Sequence, residues 1–238
     1  MEAILDSNPP APKTNHIFDM LFSPIRTLQS LKEEPRYFSA LLIAALYATA
    51  LSSWIVQHIG LTNILQNTIR ATQTIDTQTM LANILRYRTQ ILWTQAISTF
   101  AGTIITAYMI ALILWLVVTI AGEEVRLRSI NAVVAHVMLF YVAIKYTLFA
   151  LSVVFNRNAA AVNLKNPLAT NAAFFFHANS QLLQHVMRSL DVIVLAAVAL
   201  IIIGIRAMSP RMSAAVASLV VLIPWSIYIV SVGLLATP

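Results

Sequence analysis

Apolar residues follow one another along this chain in five long stretches that polar segments separate. A run of about 20 apolar residues is the length that an α-helix needs to cross the hydrocarbon core of a bilayer. The pattern therefore predicts an all-α polytopic membrane protein, built as a bundle of five transmembrane helices. The predicted spans are residues 39–59, 97–121, 130–155, 191–205 and 214–236.

Two short amphipathic helices are predicted before the first span. Apolar residues recur at helical spacing from Asn15, and Ser23-Pro24 divides the pattern because Ser is a favourable N-cap and Pro suits the first helical turn. The second helix should end near Glu34, since Pro35 follows. Both apolar faces are too short to span, so these helices are expected to lie in the membrane interface, as an anchor for the first span or as a partner-binding surface. The chain then divides into an N-terminal tail with interfacial helices and a membrane domain: residues 1–38 and 39–238.

Two long connections and two short ones link the spans. Residues 60–90 are polar but retain an apolar stripe, which indicates an amphipathic helix that is broken between Thr72 and Gln78. Within the second long connection, 156–190, a helix is predicted over 174–190. The short connections are charged turns at 122–128 and 206–213.

Composition supports a membrane protein. Hydrophobic residues make up 59% of the chain and charged residues only 10%, whereas about a quarter of the residues in soluble domains are charged. The formal charge of +6 does not indicate a nucleic-acid partner, because Lys and Arg lie mostly at the ends of the apolar stretches, where they set orientation. The chain contains no Cys, which excludes disulfides and thiolate metal sites.

Basic residues near the span ends favour a cytoplasmic N-terminus. This orientation places eight of them inside and six outside, and it puts both short Arg-bearing turns in the cytoplasm. The C-terminus then lies outside. Extended use of Ala, Leu and Ile, with no eukaryotic sorting signal, favours a bacterial inner membrane.

Lys145 is the one formal charge near the middle of an apolar stretch. A charge at that depth is costly, and it marks a candidate functional site. Asp191, at the border of the fourth span, is the candidate partner. Lys145 lies about ten residues, or roughly 15 Å, from the outer end of its span, so direct contact requires snorkelling, tilt or a deeper start of the fourth span. Structural pairing or snorkelling, and an ion or proton pathway, remain the two interpretations.

Charged residues in the two short turns are candidates for contact with a cytoplasmic partner, and a solvated turn is the plainer interpretation. These residues are Glu123, Glu124, Arg126, Arg128, Arg206 and Arg211.

Catalytic and metal-binding patterns are not found in the sequence. His136 lies nine residues before Lys145 and hence on the opposite helix face. His177 and His185 are two turns apart, about 12 Å, which is too far to share one metal ion directly. HExxH, P-loop, GxSxG and dinucleotide motifs are absent. The sequence therefore predicts no enzyme, no metal and no cofactor.

Two segments resemble each other. TIAGEEVRLRSINAVVAHV, from Thr119, aligns with IIIGIRAMSPRMSAAVASL, from Ile201, and the alignment pairs Gly122 with Gly204. If the likeness is not accidental, spans two and three repeat as spans four and five about an axis along the membrane normal.

The arrangement resembles the membrane domain of the Yip (Ypt-interacting protein) family, in its compact bacterial form. The resemblance rests on FDMLFSPIRTLQSLKEEPRYFSALLIAAL, on the Gly122 turn followed by SINAVVAHVMLFYV, and on SLDVIVLAAVALIIIGIRAMSPRMSAAVASLVVLIPW. It implies a five-helix bundle with a cytoplasmic N-terminus. For eukaryotic relatives it implies binding of Rab-type GTPases and membrane shaping, and for bacterial ones an accessory role, in some cases with ABC-type exporters. The segment before the first span is short here, so no GTPase-binding residue is transferred.

Two functions from different classes are consistent with the sequence. The leading one is a non-enzymatic scaffold or accessory protein that acts on the lipid bilayer, on a membrane protein such as an ABC-type exporter, or by self-association. The alternative is a small transporter or channel, based on Lys145, Pro224 and the repeat.

Overall fold

The computed structural model describes residues 16–60, 77–156, 168–176 and 180–235. Within these residues 84% are helical and no strand is formed, which confirms the all-α class. The helices are α1 His16–Phe22, α2 Pro24–Ser30, α3 Phe38–Ile59, α4 Thr77–Ile120, α5 Leu127–Phe155, α6 Ala172–Phe175, α7 Gln181–Ser189, α8 Val192–Met208 and α9 Ala214–Leu235.

Four helices in the described part of the chain are long and apolar enough to cross a membrane. They are α3, the 35 residues of α4 from Arg86, α5 and α9, and they make the fold consistent with an integral membrane protein. They correspond to the predicted spans one, two, three and five. The predicted fourth span is α8, an apolar helix of 17 residues, which is about 25 Å long at 1.5 Å per residue.

Helix α5 lies at the centre of the bundle. It packs against α1, α3, α4 and α8, and its residues 132–137 are all buried. Ile130 and Val134 belong to the main core. Small residues of α3 in the same core, such as Ala40 and Ala44, let the helices pack closely. At the other end of α5, Val153 packs against Ile55 and Ile59 of α3 in a separate cluster.

The two connecting turns of the bundle lie at the same end. Helix α4 ends in a Schellman motif, in which Gly122 N donates to Thr119 O (3.0 Å) and Glu123 N to Val118 O (3.2 Å). Gly122 has a φ of 85°, a conformation that glycine adopts readily, which explains the predicted tight turn. We call this end, which also holds the α8–α9 turn, the turn end, and the opposite end the far end.

The N-terminal helices pack on the bundle rather than lying apart from it. Met20, Leu28 and Leu31 are fully buried in one cluster with Val133 and Val137 of α5. The division of α1 from α2 at Pro24 is confirmed, since Pro24 begins α2.

Two details of the predicted α1–α2 segment are wrong. The Ser23 side chain makes no capping hydrogen bond. Regular helix ends at Ser30 instead of near Glu34, because Lys32 N and Glu33 N bond to carbonyls three residues back, and this tighter pattern ends the helix early.

The second span begins earlier than predicted. Helix α4 is continuous from Thr77, with a non-helical backbone only at Tyr87 (φ −104°, ψ 15°), and its apolar part starts at Arg86 instead of residue 97. The polar residues after Tyr87 thus extend the same helix, because intrahelical hydrogen bonds satisfy the backbone whatever the side chains are.

The helix predicted over 174–190 is wrong. It consists of two pieces, α6 and α7, with Phe176 in an extended conformation after α6. A new start at Ser180, whose side chain accepts a hydrogen bond from Leu183 N, begins α7. Helix α7 then packs on the far end of α9, where Leu182 and His185 lie against Gly233.

Candidate functional site

The ammonium of Lys145 is bonded to a tyrosine one turn earlier in α5. Lys145 Nζ donates to Tyr141 Oη at 2.5 Å and lies 4.9 Å from the centroid of that ring. The hydroxyl contact places the ammonium beyond the edge of the ring and not over its face, so the pair is a hydrogen bond in character more than a cation–π contact. Both side chains are half-buried.

The direction of this contact rules out snorkelling of Lys145 toward the nearer helix end. Side chains in a helix lean toward its N-terminus, and Tyr141 lies near the midpoint of α5 Leu127–Phe155. The positive charge is therefore held near the middle of the helix, where a charge is most costly in a bilayer.

Asp191 caps helix α8 and makes no ion pair with Lys145. Its Oδ1 accepts from Ile193 N (2.8 Å) and its Oδ2 from Thr170 Oγ1 (2.8 Å), and the residue is 7% exposed. Val192 N also donates to Thr170 O (2.9 Å). The carboxylate is thus committed to holding the strand-like segment before α6 onto the first turn of α8.

Asp191 nevertheless lies near enough to Lys145 for their charges to interact. Among the described residues, Tyr141 is the one hydrogen-bond partner of the Lys145 ammonium. The structure therefore brings the two predicted residues into one region without pairing them.

The two charged turns are joined to each other at the turn end. Ser209 Oγ donates to a carboxylate oxygen of Glu123, and Ser209 is 4% exposed. Trp115 Nε1 donates to Val125 O (3.1 Å), which fixes the α4–α5 turn from inside. Arg128 Nε reaches Pro35 O at 3.4 Å and so connects this turn to the segment before α3.

The remaining candidate residues of the turns face outward. Their side chains are exposed and form no hydrogen bond or ion pair within the described part of the chain. They are Glu124, Arg126, Arg206 and Arg211. Of the six predicted contact residues, Glu123 and Arg128 thus fix the turns, and the other four are free to meet a partner.

A polar contact between α3 and α4 was not predicted. Gln95 Nε2 donates to Ser52 Oγ (3.0 Å) and to Thr99 Oγ1 (3.2 Å), and Ser53 Oγ donates to Gln95 Oε1 (3.5 Å). Sequence reasoning missed it because residue 95 lies between the predicted connection 60–90 and the predicted span 97–121. The spacing of Gln95 and Thr99, four residues apart on one helix face, indicates their mutual hydrogen bond but not the partners on α3.

An open groove of about 440 Å³ continues from this contact along α4 toward the far end. All of its lining residues are uncharged and all but Ile91 carry a polar group, although most of the surface that they expose to the groove is apolar. The lining residues are Tyr87, Gln90, Ile91, Thr94, Gln95 and Ser98.

Two of the histidines, His136 and His58, pack against neighbouring groups of the bundle. His136 is 1% exposed, and its Nδ1 lies 2.8 Å from Ala132 O. His58 stacks on Trp54 at 4.9 Å, and His177 lies outside the described residues. No group of three potential metal ligands occurs among the residues that were described.

The two glycines that the repeat alignment pairs have different roles. Gly122 follows the end of α4 with a positive φ, whereas Gly204 lies within α8 and touches Val133 of α5. The pairing of these two positions is therefore wrong, because one glycine is needed for a turn and the other for a close helix contact.

Comparisons of the chain with protein-family models, with curated proteins and with solved structures gave no match. The fold and the four long apolar helices define an all-α protein with the features of an integral membrane protein. The resemblance to the Yip membrane domain stays a prediction that rests on the quoted motifs.

Proposed function

We propose that this chain is a non-enzymatic membrane scaffold or accessory protein of the Yip type, which binds a membrane-protein partner through its turn end. The observation that carries the proposal is the hydrogen bond between Ser209 and Glu123. It joins the two Arg-bearing turns into one surface, so that their charges keep a fixed arrangement. Pre-organised charges of this kind favour specific binding, since little conformational entropy is lost when a partner binds.

The proposal includes five spans, a cytoplasmic turn end and a bacterial inner membrane. Support for the fifth crossing comes from connectivity. Phe155 ends α5 at the far end, whereas Ser209 contacts Glu123 at the turn end, so the chain returns along α8. Exposed basic residues at the turn end agree with a cytoplasmic position.

The expected partner has an acidic cytoplasmic surface. The free side chains of the joined turns are three arginines and Glu124, and arginine binds carboxylates through two parallel hydrogen bonds. An ABC-type exporter or a second copy of the chain are the candidates that the proposal names. No cofactor or catalytic group takes part.

Affinity purification in mild detergent tests this function. We expect the wild-type chain to recover a stable partner, and the double variant Arg126→Gln, Arg211→Gln to recover severalfold less of it, because it removes one free charge from each turn. The matched control, Arg86→Gln with Arg88→Gln, removes two exposed charges from the far end and should recover the partner normally. Equal recovery by both double variants, or repeated recovery of the chain alone, contradicts the proposal.

A second candidate function, a small transporter or channel, is favoured by one observation. The Lys145 ammonium is held near the middle of α5 by Tyr141 and is not neutralised by Asp191. An ammonium has three donors, so two remain for an anionic or polar substrate.

The test of this alternative is transport in liposomes. If Lys145 handles substrate, Lys145→Met abolishes uptake while Lys145→Arg retains part of it, at equal reconstitution. Normal transport by Lys145→Met removes the main support for a transport function.

A further inference from the structure

The α1–α2 pair presents a second, mixed surface that the proposed partner contact does not use. We define the lipid face as the exposed residues Leu21, Phe22, Ile25, Arg26 and Lys32. Phe22 is 84% exposed and Ile25 is 50% exposed, although both are large and apolar. Exposed apolar groups of this size need a covering in a stable protein.

The position of the pair beside the spans identifies that covering. Met20 and Leu28 pack with Val137, which lies about ten residues and hence roughly 15 Å along α5 from its start at Leu127. They also pack with Leu200, about 12 Å from the C-terminal end of α8. The pair therefore lies against the flank of two apolar helices and not beyond their ends. The segment that follows α2 leads back to the turn end, where Pro35 O accepts a hydrogen bond from Arg128 Nε.

The two basic residues of the lipid face are free to bind headgroups. Within the residues that the structure describes, the one ion pair joins Arg36 to Glu34 (2.7 Å), and neither Arg26 nor Lys32 takes part in it. Long basic side chains lay their methylene stems on apolar surface and extend their charges to the headgroup level.

From this geometry we propose that the lipid face binds anionic glycerophospholipids, with Phe22 and Ile25 among the acyl chains and Arg26 and Lys32 on the phosphates. The proposal commits to lipid because the pair is flanked by apolar helices, and because its two unpaired cations, Arg26 and Lys32, are complementary to anionic headgroups. The exposed carboxylate of Glu33 beside Lys32 opposes this attraction and does not cancel the charge of Arg26. It is independent of the partner contact, which uses the two turns.

Thermal unfolding of the full chain in neutral detergent tests this inference. Anionic phosphatidylglycerol and zwitterionic phosphatidylcholine are titrated separately, and an apparent affinity is taken from the stabilisation, since a ligand of the folded state raises the unfolding temperature. We expect the wild type to favour phosphatidylglycerol. Arg26→Gln with Lys32→Gln should reduce that preference about 30-fold, since each basic residue near an anionic surface contributes about fivefold.

The same double variant, Arg86→Gln with Arg88→Gln, is the matched control and should keep the full preference for phosphatidylglycerol. Unfolding temperatures without added lipid should be equal for all three chains, because the four side chains are exposed. The preference should also vanish at high salt. Equal stabilisation by the two lipids, or an unchanged preference in the Arg26/Lys32 variant, overturns the proposal. The proposal is also overturned if the Arg26/Lys32 variant loses a protein partner but keeps its preference for phosphatidylglycerol.

Discussion

At the scale of single residues, the polar groups in the apolar part of the bundle are held by short-range hydrogen bonds. Lys145 is bonded to Tyr141, His136 to its own helix, and Tyr47 Oη to Thr147 Oγ1 at 2.6 Å across α3 and α5. Such bonds replace the water that a bilayer does not offer. The charge of Lys145 could be predicted as unusual from the sequence, but its partner could not. A tyrosine four residues earlier competes with a distant aspartate, and only the structure shows that the Asp191 carboxylate is occupied by Ile193 N and Thr170 Oγ1.

Asp191 provides the first prediction, which separates capping from charge pairing. Asp191→Ala should lower the free energy of unfolding by about 1–2 kcal/mol, because Ile193 N loses its acceptor. Asp191→Asn should cost less than the alanine variant, since asparagine is an equally good N-cap and its Nδ2 can donate to the Thr170 hydroxyl, which also accepts hydrogen bonds. Unfolding in detergent measures both values. If the aspartate mainly neutralised Lys145, the asparagine variant would be as unstable as the alanine variant, and a double-mutant cycle with Lys145→Met would reveal strong coupling.

Gly204 provides the second prediction, at the contact of α8 with α5. A Cβ at this position would lie less than 3.0 Å from Val133 Cγ1, and Val133 is fully buried, so it has little room to move. Overpacking costs about 1–3 kcal/mol, which exceeds the gain of up to about 1 kcal/mol from replacing a helical glycine with alanine.

Gly204→Ala should therefore lower the unfolding temperature, and adding Val133→Ala should recover part of the loss. Gly102→Ala is the control within α4, because nothing lies within 4 Å of its added Cβ. We expect that variant to be neutral or slightly stabilised. A Gly204→Ala protein as stable as the control would mean that the helices separate without cost.

At the scale of elements, periodicity and turn chemistry predicted where helices exist better than where they end. The break at Pro24 and the turn at Gly122 have strong local causes, a fixed φ and a positive φ. The early start of the second predicted span and the division of the helix predicted over 174–190 have weaker local causes. Polar residues such as Gln95 extend α4 because α3 supplies partners, and a partner on another helix cannot be read from spacing along one.

The α4–α5 turn provides the third prediction. Gly122→Ala should lower the free energy of unfolding by about 1–2 kcal/mol, the cost of placing an L side chain in the left-handed region. Nothing lies within 4 Å of the added Cβ, so the cost is due to the backbone alone. Gly122→Asn should therefore be the milder change, since asparagine tolerates this conformation. Unfolding measurements that found asparagine worse than alanine would point to crowding and contradict this account.

At the scale of the whole molecule, α5 organises the structure through packing along its buried first half. Near the turn end it contacts the N-terminal pair and α8, and toward the far end it contacts α3. The sequence marked this helix by the charge of Lys145, yet its central role comes from the buried residues 132–137, which are small or β-branched apolar residues with His136 among them. Burial on every side of a helix cannot be predicted from one apolar stretch, because lipid and protein surroundings favour the same residues.

The number of crossings is the last prediction, and it depends on α8. Its 17 residues span about 25 Å, which is less than the roughly 30 Å hydrocarbon core. If α8 crosses, the segment before it must make up the difference, and the hydrogen bonds of Thr170 to Asp191 and Val192 satisfy backbone and side-chain groups there. The chain has no Cys, so single cysteines report their own side of the membrane without background.

With five spans and a cytoplasmic turn end, a membrane-impermeant maleimide should label Arg88→Cys and Leu235→Cys in intact cells. Glu124→Cys and Ser213→Cys should react only after permeabilisation. The pair at the turn end is decisive, because Ser209 and Glu123 are in contact and the two cysteines must therefore share one side. Labelling of Ser213→Cys but not Glu124→Cys in intact cells would mean that α8 does not cross. Reversal of all four results would keep five crossings and invert the orientation.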